Sequence, residues 1–113
     1  MTYGEFVGNN MEFVVADISD VTIYFNEVGT NTLTDRYPHT SDNTKKFTAK
    51  RFLLRADQTI QILSINDFIF TDPVTVILNT PYRETREQGF ITKMKIRTTV
   101  VNTLVRVRWH GGY

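Results

Sequence analysis

The chain has 113 residues, a formal net charge of +1, 41% hydrophobic residues and no cysteine. A chain of this size exposes roughly 6,400 Å² when folded and buries about two thirds of its unfolded surface, enough for one core but not for two. The missing cysteine excludes disulfides, thiolate metal sites and cysteine nucleophiles together. No apolar run approaches the roughly 20 residues of a spanning helix, and MTYGEFVGNN lacks the basic segment and apolar core of a signal peptide. The expectation is a single domain over 1–113, made in a cytoplasm and used folded, with no membrane partner.

Composition favours strands. Thr is the commonest residue, Val and Ile both outnumber Leu, and Ala occurs only at positions 16, 49 and 56. In chain order, residues 1 to 10 place Gly4 and Gly8 around the aromatics Tyr3 and Phe6 and read as an extended arm able to lie across a neighbour. Strands are expected over Glu12 to Ala16 and Asp20 to Asn26. The polar segment Glu27 to Lys45 is too long for an ordinary hairpin connection. Further strands follow over Lys46 to Arg55, Gln58 to Ile65, Phe68 to Phe70, Val74 to Leu78, Phe90 to Val100 and Leu104 to Trp109. Turn signals separate them at Asn66-Asp67, Asp72-Pro73, Asn79-Thr-Pro81 and Asn102-Thr103. The one helical candidate is a turn or two over Arg83 to Gln88. Seven or eight short strands at this spacing predict an all-β antiparallel sandwich, jelly roll or small barrel.

Charge is divided along the chain. Residues 1 to 44 carry seven acids against the single base Arg36, and residues 45 to 113 carry twelve bases and five acids. The two halves either pair within one fold or between copies, and a homo-oligomer is the expectation for the second case. The most informative stretch is FITKMKIRTTVVNTLVRVRW, Phe90 to Trp109. Lys93, Lys95 and Arg97 alternate with Met94 and Ile96, and Arg106 and Arg108 alternate with Val105, Val107 and Trp109, the period of a half-buried strand. As one β-hairpin, these strands would place all five cations on one partner-binding face and Trp109 in the core.

Catalysis and metal binding have little to build on. His39, Ser41 and Asp42 are triad residue types crowded into one loop, without the convergent geometry of separate elements. The carboxylate pairs Asp17 with Asp20 and Glu84 with Glu87 suit surface solvation. His39 and His110 lack a second ligand at metal spacing, and Asp57, Asp67 and Asp72 lack calcium-loop spacing. No phosphate-binding, zinc-protease or nucleophile-elbow motif occurs. No cofactor is expected, and the chain reads as a non-enzyme. Nucleic acid would suit the cations, but the face that would need a stacking platform carries no aromatic between them.

The segments RFLLRADQTIQILSIND, FTDPVTVILNTPY and KIRTTVVNTLVRVRW, spread over Arg51 to Trp109, resemble small all-β accessory proteins of tailed-bacteriophage virions, particularly capsid decoration or cement proteins. The resemblance covers about half the chain. It implies a virion location, a homo-oligomer, often a trimer, and a jelly-roll or sandwich domain seated on a shell of major capsid protein. Its rivals are a tail or baseplate component, a host-surface carbohydrate-binding module using Tyr37 and Tyr82, and a nucleic-acid-binding barrel. The expected partner-binding residues are Lys93, Lys95, Arg97, Arg106, Arg108, Tyr3 and Phe6.

Overall fold

The computed structural model describes residues 6–25, 29–38, 48–85 and 91–112. Among these are nine strands: β1 (Phe6–Val15), β2 (Asp20–Tyr24), β3 (Asp35–Arg36), β4 (Thr48–Ala56), β5 (Ile60–Ile65), β6 (Phe68–Val76), β7 (Tyr82–Thr85), β8 (Lys93–Thr98) and β9 (Thr103–Gly112). They form a four-stranded sheet in the order β1-β9-β4-β7 and a five-stranded sheet in the order β3-β2-β8-β5-β6. All pairings are antiparallel except that of β3 with β2. Leaving β3 aside, the strand orders match: β1, β9, β4 and β7 are joined through one end to β2, β8, β5 and β6 of the other sheet. This is the connectivity of an eight-stranded jelly roll, within the all-β class the composition predicts.

Alternation explains the layers. The four-stranded sheet turns Val15, Phe52, Leu54, Ala56, Val105, Val107 and Trp109 inward, and the five-stranded sheet answers with Val21, Ile23, Ile60, Ile62, Ile65, Met94 and Ile96. Where the apolar spacing slips from two to three, the ladder bulges. Ile62 and Ile65 both reach the core because the register shifts between Ile62 and Ser64, and Ala49 and Phe52 do so across the irregularity at Lys50. Arg36, on the short β3, lays its guanidinium over the Phe13 ring at 4.9 Å and closes one side of the sandwich.

Several expectations need correction. The segment Phe90 to Trp109 is not a hairpin: β8 lies in the five-stranded sheet and β9 in the four-stranded one. The connection 99–102 arches across the core, so Met94 and Ile96 belong to one layer and Val105, Val107 and Trp109 to the other. Parity is the same for a hairpin and for an arch; what favours the arch is that each strand's apolar face covers the other sheet. The arm expected over 1–10 is, from Phe6 onward, part of β1, paired with β9 from Phe6↔Gly112 to Val15↔Thr103. Residues 1–5 lie outside the described residues. The helical turn expected over Arg83 to Gln88 is instead strand β7 as far as Thr85, with 86–88 outside the described residues. The two strands expected on either side of Asp72-Pro73 are one, β6; Pro73 is tolerated because β6 is an edge strand with no neighbour to receive the missing N–H. No helix among the described residues is long and apolar enough to cross a membrane.

Candidate functional site

The outer face of the four-stranded sheet collects the arginines. On β4, the inward Phe52 and Leu54 force Arg51, Leu53 and Arg55 outward. On β9, inward Val105, Val107 and Trp109 do the same for Arg106, Arg108 and His110, and β7 adds Arg83 and Thr85. The ladder sets these in rows across the strands. Arg51 lies between Thr85 and His110, Leu53 between Arg83 and Arg108, and Arg55 opposite Arg106. Leu53 is thus ringed by five arginines. Two shallow clefts of ≈ 330 Å³ each meet at it, one bounded by Arg55, Arg106 and Arg108, the other by Arg51, Arg83, Arg108 and His110.

A carboxylate of the edge strand answers one of these cations. Glu12 on β1 lies opposite Arg106 and bonds its Nε at 2.9 Å. Among the described residues, Arg55, Arg83 and Arg108 have no ion-pair partner. Like charges directly opposite on a ladder destabilise by about 0.2–1 kcal/mol, and Arg55 faces Arg106 in this way. Replacing Arg55 with Gln is therefore expected to raise the unfolding free energy read by denaturant titration slightly, by no more than that amount, and a loss of stability would mean that its stem packing outweighs the repulsion.

The other sheet is different. Lys93, Lys95 and Arg97 stand on the outer face of the five-stranded sheet, the opposite side of the sandwich from Arg106 and Arg108, so the five cations expected to share one surface are divided between two. Arg97 grips Asp20 twice, Nε to Oδ1 at 2.8 Å and Nη2 to Oδ2 at 3.3 Å. Lys93 Nζ lies 3.2 Å from Asp67 Oδ1. Glu12 and Asp20 show the charge-divided halves meeting inside one molecule.

The Arg97 guanidinium holds the Asp20 carboxyl below the usual carboxylate range, outweighing the opposing effect of partial burial, and Asp20 in turn raises Arg97. A depressed carboxyl contributes stability that is complete above its unfolded value near 3.9 and disappears as pH falls through the lower folded value. Asp20→Asn is expected to flatten the acid limb of the stability curve below about pH 4, as read by urea unfolding at a series of pH values. An unchanged limb would remove Asp20 from the acid response.

The remaining candidates are dispersed. Tyr3 lies outside the described residues, as do His39, Ser41 and Asp42. Phe6 is placed in β1 opposite Gly112. Tyr37 offers neither ring face to a sugar: Tyr24 stacks on one at 4.5 Å, and Gly29 approaches the ring so closely that an added Cβ would lie 2.6 Å from its Cζ. Tyr82 packs against the core and donates its hydroxyl to Glu84 Oε2 at 2.9 Å. His110 stands on the arginine face. Among the described residues no three His, Asp or Glu side chains converge on a point where a metal ion could sit. Arg51, Arg55 and Arg83 were not among the expected site residues, although the alternation Arg51-Phe52-Leu53-Leu54-Arg55 already marks β4 as a strand with two outward cations.

Fold and site together define a jelly-roll domain with one arginine-rich sheet face. No family model, curated protein or solved structure matches the chain.

Proposed function

We propose that the chain is a non-enzymatic structural protein of a virion, a decoration or cement protein that seats the outer face of its four-stranded sheet on an acidic surface of the major capsid protein shell. The observation that carries this reading is the ring of five arginines about Leu53, three of them without a carboxylate among the described residues. Arginine is the residue best suited to bidentate pairing with carboxylates and to interface anchoring, and Leu53 supplies an apolar centre inside a polar rim. Two further points support it. The jelly roll recurs in viral capsid domains, an analogy of fold alone, and the resemblance of Arg51 to Trp109 to phage accessory proteins points the same way. Single-stranded nucleic acid is disfavoured because the outward residues surrounding the arginines on β4, β7 and β9 include no Phe, Tyr or Trp, leaving phosphate contact there without stacking.

The test is co-sedimentation with assembled shells of the cognate capsid protein. Wild-type protein should pellet with the shells, and Arg83→Glu with Arg108→Glu should stay in the supernatant. Exposed substitutions of this kind change stability by no more than about 0.5 kcal/mol, so the native emission spectrum is retained. A double variant that binds shells normally, or a wild type that shifts oligonucleotides and ignores shells, would end this proposal.

A further inference from the structure

The cross-strand row of Arg83, Leu53 and Arg108 divides the two clefts of the arginine face, and Leu53 and Arg108 line both of them. Leu53 is the gap in that row, a half-buried side chain with a long cation on either side. Over it the clefts run together into one groove that follows β4. At one end stands Arg51, between Thr85 of β7 and His110 of β9. At the other end stand Arg55 and Arg106.

The dimensions select the backbone that fits. Arg83 and Arg108 are two interstrand steps apart, about 9.5 Å between backbones, and their side chains narrow that gate further. A helix, about 10–12 Å across with its side chains, does not pass between them. An extended chain does. It also presents same-side residues every ~6.6 Å, the spacing at which Arg51, Leu53 and Arg55 follow one another on the outer side of β4.

Charge selects the side chains. Arg55, Arg83 and Arg108 have no ion-pair partner among the described residues. Glu12 bonds Arg106 from the β1 side and leaves the β4 side of that cleft to Arg55. A carboxylate entering there meets the guanidinium groups of Arg55 and Arg108, and it relieves the repulsion between Arg55 and Arg106 across the ladder. A second carboxylate, in the other cleft, meets Arg51 and Arg83. Between the two, the Leu53 side chain offers no hydrogen-bonding group, so a polar residue buried over it loses its water without compensation and an apolar one does not.

We infer that the arginine face recognises an extended acidic peptide segment of the pattern acid-x-apolar-x-acid, its central side chain on Leu53 and one carboxylate in each cleft. The inference rests on the reading of this face as the contact surface, and it specifies what the partner presents there: an extended strand in register with β4, not a helix and not a diffuse acidic patch. Capped heptapeptides test it by NMR titration of the arginine Nε–Hε signals in the full chain. A peptide with glutamates two residues before and two residues after a leucine should shift the signals of Arg55, Arg83 and Arg108. It should bind at least about tenfold more tightly than an isomer of the same composition whose glutamates are adjacent. Arg108→Gln, which touches both clefts, should lower the affinity about tenfold. Leu53→Thr should leave the acids bound while abolishing the preference of the wild type for leucine over serine at the peptide's centre. Native Trp109 emission checks that both variants are folded. Isomers bound equally by the wild type, no shift at millimolar peptide, or an oligothymidylate bound more tightly at the same signals in physiological salt would each overturn the inference. The shell experiment is read separately. Shells that bind the wild type while the isomers are not distinguished leave the virion reading and remove this one, and selection of the alternating peptide by a protein that ignores shells does the reverse.

Discussion

Trp109→Ala is expected to cost about 3–5 kcal/mol, the range for emptying a buried tryptophan site and a large part of the 5–15 kcal/mol that holds a domain together. The indole is fully buried. It lies opposite Phe52 on the β4–β9 ladder and meets Phe25, which directly follows β2 of the other sheet, at 5.1 Å between centroids. Phe25 and Phe52 stack at 5.8 Å, so the three rings tie both layers together and no neighbour can collapse into the space without breaking the set. The indole nitrogen, Nε1, is buried with no hydrogen-bond partner among the described residues, and an unmade hydrogen bond offsets part of what the ring contributes. Trp109→Phe should therefore cost far less, about 1–2 kcal/mol. Chemical denaturation of the two variants measures the difference, and short-wavelength emission of the native protein checks the burial. Equal losses in both variants would mean that indole shape, not apolar volume, is what the site demands.

The second large effect is at Asn66, which turns the β5–β6 hairpin with φ 55°. Its Oδ1 accepts from Thr92 N at 2.8 Å and Thr92 Oγ1 at 3.0 Å, and its own N–H donates to Lys93 O at 2.9 Å. One side chain therefore holds the hairpin against the start of β8. Alanine there leaves the partly buried Thr92 N–H without this acceptor, about 1–3 kcal/mol, and puts a Cβ in left-handed backbone without the local hydrogen bonding that lets Asn visit it, about 1–2 kcal/mol. The sum for Asn66→Ala is about 2–5 kcal/mol. Asn66→Asp keeps the acceptor and should recover most of it. Asn66→Gly relieves only the backbone and should fall between. If Gly is as stable as Asn by urea unfolding, the carbonyl oxygen contributes nothing and the cost lies in φ alone.

The arginine face illustrates how far sequence alone reaches. Alternation assigns Arg106 and Arg108 outward and Trp109 inward without any knowledge of neighbours, because a strand's side chains change side at every residue. It does the same for Arg51 and Arg55 around Phe52 and Leu54. What alternation leaves open is adjacency. Hydrogen-bonded neighbours of β9 are β1 and β4, separated from it by most of the chain or by half of it, and not β8, four residues away. Sequence proximity suggested a hairpin, and with it one surface for Lys93, Lys95, Arg97, Arg106 and Arg108. Sheet order instead places the first three against Asp20 and Asp67 and the last two against Arg55 and Arg83.

The sequence by itself therefore determined the all-β class, the inward or outward sense of nearly every strand residue, the burial of Trp109 and the turn positions at Asn66, Asn79 and Asn102, since each depends on local backbone geometry and on whether a side chain prefers water. Only the tertiary structure decided which strands lie side by side, and with that the grouping of the cations and the incorporation of Phe6 to Asn10 into β1. The reason is that a strand satisfies its hydrogen bonds equally well against many partners. The choice among them is made by how the two apolar faces cover one another across the whole core, a property no single segment contains.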